Sequence, residues 1–200
     1  KQEEIERAKQ DAESEAEKRY MARLRKNAFG NTGQEHCRFD KSNDTEAVTI
    51  LKNYADSFPD RLTDGKGVLL YGGTGVGKSH AAACLVNELV SKKYRCKYTN
   101  FARLFGETDW DNRQDAIDAI NGLDLLVIDD LGAERDTDTM TEFKWNVIDS
   151  RVNMGVPMVL TTNLTLEDFK TGNPALFSRL YKACYFHEIK GSDIRKDDYR

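Results

Sequence analysis

Two hundred residues, 39% apolar, 32% charged and 10% aromatic, make a chain long enough to bury a core and too apolar to remain disordered. No apolar run approaches the ~20 residues that cross a bilayer, and a net charge of -4 from thirty basic and thirty-four acidic side chains gives no whole-molecule attraction for nucleic acid. The four cysteines, Cys37, Cys84, Cys96 and Cys184, form no CxxC pair, which argues against a zinc knuckle or a disulfide scaffold and fits a reducing, cytoplasmic setting. The chain opens at Lys1 with no secretory leader pattern, and the reading leaves room for further sequence before it.

From Lys1 to Asn27 there are eight basic and seven acidic residues and almost no bulky apolar ones, so this stretch predicts a solvated helix or arm without a core of its own. Its acids end at Glu17, and Lys18, Arg19, Arg23, Arg25 and Lys26 follow. Gly30 to Gly33 breaks the helix and predicts a linker, dividing the chain into a charged segment 1–33 and a globular unit 34–200. Val48, Leu51, Tyr54 and Phe58 recur at helical spacing with Pro59 as the stop.

Beyond that point short apolar runs alternate with helical stretches. Strands are predicted at Gly67–Tyr71, Arg95–Asn100, Leu123–Asp129, Val156–Thr161 and Tyr185–Ile189, and helices at Ser79–Val90, Gln114–Asn121, Thr141–Met154 and Ala175–Cys184. Alternation of this kind defines an α/β fold, a five-stranded, mostly parallel sheet with helices on both faces.

Directly after the first run stands GGTGVGKS, residues 72–79, satisfying G-x-x-x-x-G-K-[ST] between a strand and a helix. Glycines let the backbone turn its N–H groups toward phosphate oxygens, and the helix N-terminus adds partial positive charge. The nucleotide-binding set is therefore Gly72, Gly73, Thr74, Gly75, Val76, Gly77, Lys78, Ser79 and the adjoining His80. Lys78 is the cation for the β- and γ-phosphates of ATP or ADP, and the Ser79 hydroxyl is a ligand for Mg²⁺. A phosphate-bound Mg²⁺ also calls for a carboxylate at the end of a neighbouring strand, which Leu125-Leu126-Val127-Ile128-Asp129-Asp130 provides. Asp129 falls to the metal and Asp130 to the attacking water. Asn163 closes the next strand where α/β ligands collect, placed to orient that water or simply to make a turn. Arg179 and Arg195, judged on the residues alone, are surface charges as readily as nucleotide contacts.

GVLLYGGTGVGKSHAAACL, then LLVIDDLGAE, VLTTN, a late SRL and G-x-x-I-R together resemble the DnaC/DnaI branch of the AAA+ ATPases, the bacterial and phage helicase loaders, with the IstB transposition helpers as close relatives. The resemblance covers about Arg38 to Arg200. It implies an AAA+ core, a P-loop NTPase with strand order 5-1-4-3-2, acting as a nucleotide-dependent oligomer. Residue by residue it makes 72–79 the Walker A loop, Asp129 and Asp130 the Walker B pair, and Asn163 sensor 1. It further makes Arg179 the arginine finger that reaches a neighbouring subunit's nucleotide, and Arg195 sensor 2. The implied role is delivery of the hexameric replicative helicase with single-stranded DNA as second ligand; the alternative is an IstB-like helper that serves a transposase. Walker B ends here in Asp-Asp where many AAA+ proteins have Asp-Glu, so slow, assembly-dependent hydrolysis is expected. No cysteine cluster precedes Lys78, unlike loaders with a zinc-binding partner domain.

Two further readings are weaker. A small-molecule P-loop kinase would need an acceptor pocket and an arginine-rich lid; no segment of clustered arginines is seen, and LLVIDDLG speaks against it. A domain that binds nucleotide as a purely structural element is the non-enzymatic alternative. Lys92, Lys93, Tyr94, Arg95, Lys97, Tyr98, Phe101 and Arg103 have the chemistry of a single-stranded DNA surface. The same residues also read as a helix end followed by a strand with core aromatics, and no DNA contact is assigned to them. His36, His80 and His187 lack metal-ligand spacing, and Trp110 and Trp145 read as packing residues.

Overall fold

A computed structural model of the chain describes residues 2–135 and 137–194. Arg195, expected at sensor 2, lies outside the described residues. The sheet has five strands, all parallel: β1 (Gly67–Tyr71), β2 (Cys96–Thr99), β3 (Leu125–Ile128), β4 (Met158–Thr162) and β5 (Cys184–Glu188), in the order β2-β3-β4-β1-β5. Read from the other edge this is 5-1-4-3-2, the order expected of an AAA+ core.

Alternation along the strands divides the interior into two layers, because successive side chains of a strand point to opposite faces. Val68, Leu70, Leu125, Val127 and Val159 pack beneath α1 (Gln2–Phe29), α2 (Glu46–Asp56) and α4 (Lys78–Ser91). Leu69, Leu126, Ile128, Met158 and Leu160 face the other way. They pack with α5 (Phe101–Glu107), α6 (Arg113–Asn121), α7 (Asp138–Met154), α8 (Leu166–Gly172) and α9 (Pro174–Ala183). Helix α4 is so rich in Ala and Leu because it lies against the middle of the sheet, where Ala81, Ala82, Ala83, Leu85 and Leu89 are completely covered.

Three features differ from the sequence reading. Pro59 does end the first predicted helix, but it also opens another: Phe58 is the first residue of α3 (Phe58–Asp64) and Pro59 occupies its first turn, where a missing N–H costs nothing. The short helices α5 and α8 follow Asn100 and Thr165, whose side chains accept the first free N–H groups from Arg103 and Asp168. In α1 most of the helix is exposed, whereas Leu24, Ala28 and Phe29 are buried in the same layer as α2 and α4. The last turns of this charged helix are therefore part of the core that follows it.

Among the described residues no helix is long and apolar enough to cross a membrane.

Candidate nucleotide-binding site

The loop between β1 and α4 turns at Gly72, Gly75 and Gly77 through positive-φ conformations that favour glycine. Gly72 has φ +140° and Gly75 φ +81°, and a Cβ on either would run into the Ile189 carbonyl or the Asp193 carboxylate respectively. The segment after β5 thus crosses the loop closely, and Ile194 N–H donates to the Gly75 carbonyl at 3.0 Å. Gly77, left-handed at φ 91°, opens α4, so that the first free N–H groups of the helix face the loop.

Lys78 is 5% exposed. Its Nζ donates to Gly72 O at 2.9 Å, Gly73 O at 2.7 Å and Asn163 Oδ1 at 2.9 Å. The other end of the Asn163 amide donates from Nδ2 to Asp130 Oδ1 at 2.6 Å. One chain of hydrogen bonds therefore joins the P-loop, the end of β4 and the end of β3. Asp130 adopts φ 58°, the left-handed conformation that Asp tolerates better than most residues. Its N–H donates to Thr161 Oγ1 at 2.9 Å, which fixes the turn. Just beyond, Glu134 accepts from Gly132 N–H at 3.2 Å and pairs with Lys144 at 2.8 Å, both side chains almost fully covered.

Asp129 is held by two hydroxyls. Thr161 Oγ1 donates to Oδ1 at 2.5 Å, and Tyr98 Oη to Oδ2 at 2.7 Å. The same Tyr98 oxygen lies 3.5 Å from the Ser79 carbonyl, so the Asp129 carboxylate and the start of α4 share a neighbour. Burial, reinforced by the Asp129 charge, drives the Tyr98 phenol far above its ordinary pKa, so it stays a donor. Among the described residues no cluster of three or more His, Cys, Asp or Glu side chains could cage a metal. A cage is not what Mg²⁺ needs, since it usually takes one or two protein oxygens beside water and phosphate. The Ser79 hydroxyl, which lines the cleft, and the Asp129 carboxylate at the end of β3 are donors of that kind.

The cleft has a volume of about 520 Å³. It is lined by Thr74, Gly75, Gly77, Lys78, Ser79 and His80 with Asp130 and Asn163, and Ile194 lies against the P-loop beside them; Lys41, Ser42, Asn43 and Thr45 form a second wall. The sequence reading missed this second wall. Its signal was the polar run Lys41-Ser42-Asn43-Asp44 just before Thr45 caps α2. Ser42 Oγ donates to Arg38 O at 2.5 Å and lies 2.7 Å from His80 Nε2, so the imidazole supplies the proton of that second bond. Desolvation and the nearby His36 keep His80 below the ordinary histidine pKa, which favours the neutral ring.

Arg179 is not at this cleft. From α9 its Nη2 pairs with Asp149 Oδ1 of α7 at 2.5 Å, and the guanidinium lies 5.5 Å from the centre of the Trp145 ring. The candidate DNA stretch comes apart in the same way. Phe101 is fully buried, Tyr98 is turned inward to Asp129, and Arg95 and Lys97 pair with Asp124 and Glu107.

A parallel sheet in this order, with a P-loop after β1 and an Asp-Asp pair after β3, defines a P-loop NTPase domain of the AAA+ class. The chain belongs to the family of IstB-like ATP binding proteins, whose profile matches residues 2–200. It is 29% identical over 138 residues to YqaM of Bacillus subtilis (strain 168), covering 64% of this chain and 44% of YqaM. It is likewise 29% identical over 126 residues to the replicative helicase loader DnaI of the same organism, covering 60% of this chain and 39% of DnaI. The chain thus spans less than half the length of these curated relatives. A crystal structure of DnaI shares the fold with a TM-score of 0.68 at 20% identity, over 86% of this chain and 98% of that one.

Proposed function

We propose that this chain is the ATP-operated unit of a helicase loader: it binds ATP with Mg²⁺, assembles with copies of itself, grips single-stranded DNA and delivers a hexameric replicative helicase. The observation that carries the nucleotide part is the hydrogen-bonded path Lys78–Asn163–Asp130 across the cleft. The partner is inferred from the likeness to the DnaI loader.

In this reading the P-loop N–H groups and the Lys78 ammonium hold the phosphates, and Ser79 with Asp129 holds the metal. Bound Mg²⁺ supplies positive charge that offsets the charge developing on the phosphates. Asp130 orients the attacking water, and Asn163 keeps Asp130 and Lys78 in register. Arg179, remote from its own chain's cleft, serves the cleft of a neighbouring subunit, and Arg195 contacts nucleotide as sensor 2. The exposed part of segment 1–33 is the arm toward the partner, and the unit 34–200 carries the chemistry. The protein works in the cytoplasm, and its four cysteines, all free and buried, suit a reducing compartment.

The family match favours a second reading, a helper ATPase that hands duplex DNA to a transposase. One experiment separates the two: co-elution of the complete gene product with its replicative helicase in ATP, Mg²⁺ and a single-stranded oligonucleotide, with Lys78→Ala as control. Helicase in the complex, lost with Lys78→Ala, supports the loader. No helicase and tight duplex binding instead would transfer the assignment to the transposition helper.

A further inference from the structure

Tyr98 stands in β2 directly beside β3, in register with Val127, and is 5% exposed. A buried tyrosine usually satisfies its hydroxyl on a backbone carbonyl, as Tyr54 does here on Lys66 O at 2.9 Å. Tyr98 does otherwise. Its one proton goes to Asp129 Oδ2 at 2.7 Å, while the Ser79 carbonyl at 3.5 Å is too far to compete. Thr161 in β4 donates to the other oxygen and in turn accepts from Asp130 N–H. Two hydroxyls from the strands on either side of β3 thus fix both oxygens of one carboxylate. Each oxygen still has a lone pair to give outward, because a carboxylate accepts about four hydrogen bonds or ligands and these two use only half of them.

We propose that Tyr98 is a positioning residue for the metal-binding carboxylate: its hydroxyl sets the orientation in which Asp129 meets Mg²⁺. This rests on the reading of the cleft as a nucleotide–Mg²⁺ site. Hydrogen-bonded partners behind metal ligands fix ligand orientation and tune affinity, and losing one typically weakens metal binding about 10- to 100-fold. Tyr98 Oη donates to the Asp129 carboxylate and not to a phosphate-binding group of the P-loop, so nucleotide held without metal should not depend on it.

The test uses Tyr98→Phe, which removes one oxygen and keeps the ring, and Tyr54→Phe as a matched loss of a buried tyrosine hydrogen bond remote from the cleft. Fluorescent ATP is titrated into each protein with EDTA and then across a Mg²⁺ series, and bound Mn²⁺ is counted by electron paramagnetic resonance. The expected result is wild-type affinity for all three in EDTA, with a Mg²⁺ requirement raised about tenfold in Tyr98→Phe alone and a parallel loss of Mn²⁺. An unchanged Mg²⁺ requirement in Tyr98→Phe overturns the proposal. So does a loss of nucleotide in EDTA, which would show that the hydroxyl serves the fold. If the wild-type protein itself shows no Mg²⁺-dependent binding, it is the nucleotide–Mg²⁺ reading that fails.

Discussion

Arg151 heads the fully buried side chains, and no carboxylate hydrogen-bonds or ion-pairs with it among the described residues. Its guanidinium instead donates to the carbonyls of Ile120 at 2.6 Å, Leu123 at 3.4 Å and Pro157 at 2.8 Å, joining the approaches to β3 and β4 at the end of the sheet opposite the cleft. Burial pulls its pKa down to about 10, still far above neutrality, so the charge persists and is spread over backbone dipoles. Arg151→Met should strand these carbonyls and lower stability by about 2–4 kcal/mol, read as a smaller urea midpoint at unchanged slope. A midpoint equal to wild type would show that water takes over the carbonyls. Nothing in the sequence distinguishes Arg151 from a surface arginine, because its role exists only once three chain segments meet. Tyr98 eluded the sequence for a related reason: its aromatic ring announces a core position, but the direction of its hydroxyl is set by the pairing of β2 with β3. Gly72, Gly75, Lys78 and Asp129 were legible because their chemistry is local, written into a loop and a strand end of fixed spacing.

At the scale of elements, periodicity located the five strands and the long helices, and failed where an element is short or amphipathic over only its last turns. Helices α5 and α8 were missed although Asn100 and Thr165 mark their starts, since seven residues show too little period to register. Helix α1 is the sharper case. Its composition says solvated, yet Leu24, Ala28 and Phe29 recur at a spacing of four and one and close the layer over β2 and α4. Removing residues 1–16 should therefore leave the thermal transition nearly unchanged, because that stretch is exposed wherever its side chains are described. Phe29→Ala should cost about 3–5 kcal/mol by denaturant unfolding, the usual loss for a buried phenylalanine. Equal effects from the two changes would mean that the whole helix, and not its end, supports the core.

At the scale of the molecule the chemistry collects along one edge of the sheet, where β1, β3 and β4 end, while Arg179 is held on the α7–α9 side by Asp149 and Trp145. A subunit that keeps this arginine away from its own cleft should hydrolyse ATP slowly alone. The expectation is a rate per subunit that climbs with protein concentration, and an Arg179→Ala protein that binds ATP normally yet loses about 10²–10³-fold in turnover at high concentration. A wild-type rate independent of concentration would contradict a role between subunits. The fold class was legible because alternating apolar runs and helical stretches call for a parallel sheet, and the order of its strands followed from the family resemblance; the position of Arg179 was not legible, since it depends on how α9 packs on α7. Helix α1 brings in a mechanical consequence. Its last turns are fixed in the core and Glu17 is tied to Lys93 at 2.6 Å, so the turns before Glu17 project as a stiff rod of roughly 22 Å. A rotation of the domain by about 10° would swing the far tip by about 4 Å, so the geometry of the helix is that of a lever arm, with displacement growing in proportion to distance from the anchored turns.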